Sequence, residues 1–278
     1  MRRFFAVCGL ALVLGPAWCR LERVACRARP LSYGKSLQKT AGNNLRPGER
    51  RRDLPQLPAE LQHRVDALVK CFEVYQTPQL TPQQMHEEYC SHFRPEAASA
   101  AWEELEPRAL ARLLAEELRQ EAVEGFVDVG SGLGKLVVLA AAITPATCWG
   151  IELSPVRAAE ARRAWAQLQS EADAALPWTR RVRLLQGSCL KDLPAEALEA
   201  SHFLFTMRRV GKLPRGTRQV SERFLDLLQQ GAAKERVLLS VGKRLEPRDG
   251  LEHVDACFLR AEWSDEEDVL IHRYILSR

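Results

Sequence analysis

Across 278 residues, 46% apolar and 27% charged side chains exclude a disordered chain and leave room for one large domain or two small ones. The formal net charge of +4 is unevenly placed, because residues 1–52 hold 12 Lys and Arg against two acids, Glu22 and Glu49, which leaves 28 basic and 34 acidic residues beyond them. The body of the chain is therefore mildly acidic, and its overall charge gives no argument for nucleic-acid binding.

The chain starts with Met1-Arg2-Arg3 and an apolar run over residues 4–18, with small residues around Ala17 and Cys19, much like a signal peptide. An apolar run of about 15 residues is short for a membrane span, so no membrane is expected for the mature form. Residues 20–52 are rich in Arg, Ser, Gly and Pro and almost free of acids. This order resembles the two-part leader of a protein sent to a complex plastid. A mitochondrial leader and a retained basic arm for an acidic partner are the alternatives. The leader or arm is bounded at 1–53, a helical cap at 54–99, and an α/β domain at 100–278.

In the cap, Leu61, Val65, Leu68, Val69, Phe72 and Tyr75 fall on one face at helical spacing. Thr77-Pro78 stops that helix. Thr81-Pro82 reads as the N-cap and first position of a second, running to about His92 and ended by Arg94-Pro95. From about Pro107 an amphipathic helix turns Leu110, Leu113, Leu114 and Leu118 inward and Glu116, Glu117, Arg119 and Gln120 outward.

Strand and helix patterns then alternate. Strands are expected at 126–129, 148–153, 182–186, 202–206 and 236–241, followed by two strand-like runs at 256–261 and 269–276 around a turn at Ser264-Asp265. Helices are expected after the first strand from Leu136, after Ser154-Pro155 through Leu168, and over 217–230 before Gly231. These repeats and the closing hairpin predict a doubly wound, mostly parallel seven-stranded sheet. Eight cysteines show no Cys-x-x-Cys, and Cys148, Cys189 and Cys257 sit in apolar runs as buried thiols. His86 and His92 are too far apart for a helical ligand pair. No metal is expected.

The stretch Gly125-Phe126-Val127-Asp128-Val129-Gly130-Ser131-Gly132-Leu133-Gly134-Lys135 carries the chemistry. A buried strand, a glycine turn and a helix start form the place where such sheets open to a ligand. The helix N-terminus offers unpaired N–H groups there. Asp128 stands two residues before the first glycine, where a carboxylate can order the loop or meet an ammonium. Glu152 ends the next strand, where an acid can accept from both ribose hydroxyls. A nicotinamide site prefers Gly-x-Gly-x-x-Gly, whereas here Leu133 alone separates the second and third glycines and Gly134 comes one residue early. A phosphate-binding P-loop is excluded, since no Gly-Lys-[Ser/Thr] is present.

Asp-x-Gly-x-Gly-x-Gly with a downstream acid and a closing hairpin is similar to the class I S-adenosylmethionine-dependent methyltransferases, whose Rossmann-like sheet has an antiparallel last strand. More narrowly, residues 126–138 together with Gly150-Ile151-Glu152-Leu153 resemble the non-SET histone-lysine methyltransferases of the disruptor-of-telomeric-silencing type. The resemblance covers roughly residues 100–245. It implies S-adenosyl-L-methionine as cofactor, held by Asp128, Gly130, Ser131, Gly132, Gly134, Glu152 and Leu153. That family's Tyr-Gly-Glu loop falls on Trp102-Glu103-Glu104, so Glu104 alone matches it. Ser188 stands where the family's acid meets the adenine amino group.

The resemblance also implies a protein lysine, of histone type, as the leading methyl acceptor, with RNA, a small molecule or cofactor binding without turnover as the alternatives. The family's paired asparagines after strand four are absent, and Phe205-Thr206-Met207-Arg208-Arg209 stands there instead. Trp102, Phe203 and Phe205 are candidate lysine-channel residues, although sheet core is the commoner role for both phenylalanines. Arg208 and Arg209 lead a basic cluster through Lys212, Arg215 and Arg218 that could hold an acidic protein face or nucleic acid. A histone acceptor requires the nucleus, whereas residues 1–52 read as an organelle or export address. Nothing in the sequence sets the oligomeric state or names a general base.

Overall fold

The computed structural model describes residues 53–96, 98, 105–118, 123–171, 177–205, 219–231, 235–242, 244–260 and 268–277. The leader, Trp102, Glu104, Arg208, Arg209, the rest of the basic cluster and the turn at 264–265 lie outside them.

Helix α1 (Ala59–Cys71) runs into a 3-10 turn (Phe72–Val74). Helix α2 (Pro82–Glu88) starts with Pro at its first position and a capping box, in which Thr81 accepts from Gln84 N–H and the Gln84 side chain accepts from Thr81 N–H. Its continuation differs from the sequence expectation. A π turn (Tyr89–Phe93) follows, and helical geometry carries through Pro95 to Glu96. In the wider π turn Arg94 N–H reaches back to Tyr89 O, so the chain passes Pro95 without ending at it.

Helix α3 (Pro107–Leu118) leads to strand β1 (Phe126–Val129), helix α4 (Lys135–Ile143), strand β2 (Cys148–Glu152) and helix α5 (Pro155–Glu171). Strand β3 (Val182–Gln186), the short helix α6 (Ala195–Leu198), strand β4 (His202–Phe205), helix α7 (Val220–Gly231) and strand β5 (Arg236–Val241) complete the alternation. The closing hairpin is β6 (Leu251–Arg260) and β7 (Asp268–Leu276), and β6 begins five residues before the sequence expectation.

The sheet order is β3-β2-β1-β4-β5-β7-β6, with every pairing parallel except those of β7. This is the seven-stranded, doubly wound order with one reversed strand, and the topology reverses at β1, between β2 and β4. Ligand crevices in such sheets open at that reversal, outside the carboxyl ends of the strands.

Side-chain alternation along β1 divides the core. Phe126 joins Leu113, Leu114, Val137 and Trp165 in the layer under α1, α3, α4 and α5. Val127 and Val129 join Phe203, Phe205, Phe224 and Leu228 in the layer under α7. The cap helix α1 packs directly on α3 and α4, so cap and sheet share one core. The last carbonyls of α4 are satisfied from outside the helix: Arg64 Nη1 donates to Ala142 O at 2.9 Å and Arg181 Nη2 to Ala141 O at 2.8 Å. Cys148, Cys189 and Cys257 are buried thiols, as their apolar neighbours suggested.

Leu114 is fully buried between the cap and the sheet. Leu114→Ala removes its burial and leaves a cavity, a loss of about 2–5 kcal/mol of unfolding free energy. Val156→Ala, at an exposed position, stays within about 0.5 kcal/mol. Denaturant unfolding of both variants measures the contrast.

Candidate cofactor site

The glycine loop hangs on the end of β2. Gly130 N–H donates to Ile151 O at 2.9 Å, Ser131 N–H to the same carbonyl at 3.1 Å, and Gly134 N–H turns back to Ser131 O at 2.8 Å. Gly130, Gly132 and Gly134 hold φ of 83°, 54° and 77°. An L-residue with a Cβ is strained in this region, which is why three glycines stand here. A Cβ added at Gly130 would meet nothing within 4 Å, so the loop backbone faces open space at the crevice. At Gly134, the left-handed cap of α4, a Cβ would lie 2.8 Å from Leu184 Cδ2.

Glu152 ties this loop to the next helix. One carboxylate oxygen accepts from Gly132 N–H at 2.8 Å, and the other from Ser154 N–H at 2.8 Å. Each oxygen keeps a further lone pair for a hydroxyl donor. Ser154 caps α5, since its Oγ accepts from Arg157 N–H at 3.1 Å. Burial pushes Glu152 above the ordinary carboxylate range, while the Arg157 guanidinium and the two backbone N–H groups pull it back.

Asp128 and Glu152 are each only 3% exposed, on adjacent strands whose register aligns Asp128 with Gly150. Oδ1 of Asp128 is buried without a hydrogen-bond partner. Burial, with the Glu152 charge second, raises its carboxyl to about 8. A buried, unpartnered oxygen of this kind is costly and suits a cationic or donor group of a ligand.

The other candidates are distributed as follows. Ser131 and Leu153 are half-buried beside the loop and the β2 end. Ser188 is buried beyond β3, but its groups serve a local turn: its N–H donates to Asp192 Oδ2 at 2.7 Å and its Oγ accepts from Leu190 N–H at 3.2 Å. Phe205, a candidate for the lysine channel, sits instead in the α7 core layer, edge-on to Phe224 with centroids 5.5 Å apart, and Phe203 packs on the same ring. The alternation of β4 turns both rings to that layer. Trp102, Glu104, Arg208 and Arg209 are outside the described residues.

Sequence reasoning missed Glu88, whose carboxylate accepts from Ser154 Oγ–H, and Arg157, whose guanidinium lies 5.5 Å from the Phe93 ring centroid. Their partners are distant in sequence, and only the cap pattern hinted that α2 would reach the sheet. Among the described residues no group of three or more His, Cys, Asp or Glu could hold a metal ion, and no helix is long and apolar enough to cross a membrane.

Residues 86–201 match the family model described as histone methylation protein DOT1. The resemblance is to that family over those residues, less than half of the chain. With the sheet order, the glycine loop and the paired acids at its strand ends, this match decides the class. The protein is an S-adenosylmethionine-dependent methyltransferase.

None of the curated proteins compared matches this methyltransferase. Solved structures similar to it include a putative RNA methyltransferase from Pyrococcus horikoshii (TM-score 0.44, 13% identity, 80% of this chain and 98% of that one). Another is the glycopeptide N-methyltransferase MtfA with sinefungin (TM-score 0.44, 13% identity, 61% and 93%). A third is an RNA methyltransferase from Salinibacter ruber with S-adenosyl-L-homocysteine (TM-score 0.40, 19% identity, 62% and 94%).

The Asp128 carboxyl has a direct consequence for stability. Its folded value of about 8 lies above the ordinary 3.8, so the native protein holds a proton that the unfolded chain releases. Its contribution is complete below pH 3.8 and is lost as pH rises through about 8. Asp128→Asn removes this dependence, so the variant gains stability on the wild type as pH rises. Chemical denaturation at several pH values between 5 and 8.5 reads the difference, and a constant gap across the series would contradict the assignment.

Proposed function

We propose that this methyltransferase acts on a lysine side chain of a protein. The observation that carries the reading is the pairing of Asp128 and Glu152 around an open glycine cradle, inside the segment that matches a histone-methylation family. Gly130, Ser131, Gly132 and Gly134 would let the cofactor lie close against the loop backbone before α4, with Leu153 beside them. Glu152 would accept from the ribose hydroxyls and Asp128 would face the cationic end. Ser188 would stand near the adenine, and Glu104 would close the site. Bound there, S-adenosylmethionine supplies a methyl group already activated by its sulfonium.

The chain's own residues then need to supply little acid–base chemistry. Holding the acceptor in line with the methyl group provides most of the acceleration. A lysine acceptor must first lose its proton, which a site shielded from water favours by lowering the amine's pKa. The positions next to the crevice in sequence, Trp102, Arg208 and Arg209, would meet the acceptor, with the arginines on an acidic protein face. Since Phe203 and Phe205 are committed to the core, that lining must come from elsewhere.

A second reading has a specific observation behind it. The asparagine pair of the resembled family is absent after β4, which favours a domain that binds the cofactor without turnover. Incubation with S-adenosylmethionine carrying a labelled methyl group, a histone octamer, a total protein extract and RNA separates the readings. Label on protein lysine, lost in Gly132→Arg, supports the proposal. Label confined to RNA, or no label despite cofactor binding, contradicts it.

A further inference from the structure

Residues 82–96 form a helical strap that touches three elements at the carboxyl edge of the sheet. At one end the Glu88 carboxylate accepts from Ser154 Oγ–H, on the residue that also donates its N–H to Glu152. In the middle, the Phe93 ring, itself buried, lies under the Arg157 guanidinium at 5.5 Å. At the far end Glu96 is only 7% exposed, and its carboxylate meets Lys191 Nζ at 2.5 Å and Arg223 Nη1 at 3.7 Å. Lys191 belongs to the loop after β3 and Arg223 to the first turn of α7, on the opposite face of the sheet from α5. Eight residues of helical rise separate the two acids, about 12 Å, which is the scale needed to reach from one helix layer over the strand ends toward the other.

We infer that this strap positions the cofactor acid Glu152, with Glu88 and Phe93 holding Ser154 and Arg157 around its carboxylate and with Glu96 as the latch that keeps the strap across the crevice. The inference rests on the cofactor reading of the site. Glu88, Phe93 and Glu96 are positioning residues, because each acts through another side chain. Ser154 is fully buried, so its hydroxyl has few orientations; it donates to Glu88 while its oxygen caps α5. Arg157 is buried as well, and the flat Phe93 ring limits where its guanidinium can lie. Among the described residues, the charged groups that bear on Glu152 are Arg157, Glu88 and Asp128. Arg157 alone of these favours the ionised acid, and an ionised Glu152 is the form that accepts two ribose hydroxyls along with its two backbone donors.

The latch is suited to substitution. Lys191 and Arg223 are both well exposed, so Glu96→Gln leaves no buried charge unpaired. The test is binding of S-adenosyl-L-homocysteine, by equilibrium titration and stopped-flow dissociation, to proteins whose fold has been checked by melting. Glu96→Gln should weaken binding about tenfold, mostly through faster dissociation. Glu88→Ala should do the same, whereas Glu88→Gln, which keeps an acceptor for the Ser154 hydroxyl, should stay near wild type. In Glu96→Gln, which keeps the Glu88 charge, affinity should begin to fall at a higher pH than in the wild type on acidification, because a displaced Arg157 no longer opposes protonation of Glu152. Should Glu96→Gln fail to fold, the Glu88 pair decides. Wild-type affinity in folded Glu96→Gln and Glu88→Ala, with a wild-type pH profile in Glu96→Gln, would overturn the positioning role. A wild-type protein that binds no S-adenosyl-L-homocysteine would instead overturn the cofactor reading, and this inference with it.

Discussion

One carboxylate organises the carboxyl edge of the sheet. Glu152 accepts from Gly132 N–H with one oxygen and from Ser154 N–H with the other. The first bond fixes the glycine loop that begins α4, and the second fixes the turn that begins α5. Both helix starts are thereby tied to the carboxyl end of β2, beside the point where the sheet order reverses at β1. The loop is held to β2 as well through Ile151 O, which accepts from Gly130 and Ser131.

The bridge is made from a group that burial disfavours in its charged form, beside a second buried acid, Asp128. Two carboxyls 3% exposed on adjacent strands are an expensive arrangement for a stable core. The glycine loop shows the same trade, with three residues held at positive φ and no side chains to fill the space before Gly130. Buried acids, a glycine backbone and open space at one strand end are what a cofactor site requires, and the two helix layers beneath supply the stability that tolerates them. The cap contributes to both: α1 closes the core, and the segment after it reaches the edge through Glu88, Phe93 and Glu96.

Much of this was legible in the residues. Strands β1, β3 and β5 match their expected bounds because short, apolar runs between turn residues leave little else to form. The Thr81-Pro82 helix start and the inward leucines of α3 were equally plain, as local chemistry sets them, whereas Glu117, expected outward, is buried and accepts from Arg273 Nε–H at 3.1 Å. The start of β6 was hidden because residues 251–255 mix polar and apolar side chains, and the bulge between His253 and Asp255 breaks the period of two. The π turn at Tyr89–Phe93 has no compositional mark. In the site, Asp128, Glu152 and the glycines could be found by spacing, whereas Glu88, Arg157 and Glu96 could not. Their roles rest on contacts between segments 64 to 127 residues apart, which no local pattern encodes. The β4 phenylalanines teach the complementary lesson, since an aromatic near a strand end is placed by the face it points to.

The central claim is that the carboxyl edge between β1 and β2 holds S-adenosylmethionine. Calorimetric titration with S-adenosyl-L-homocysteine, run beside NADH, tests it most directly. The account predicts saturable one-to-one binding of S-adenosyl-L-homocysteine and none of NADH. No saturable binding of S-adenosyl-L-homocysteine, or a preference for NADH, would contradict it.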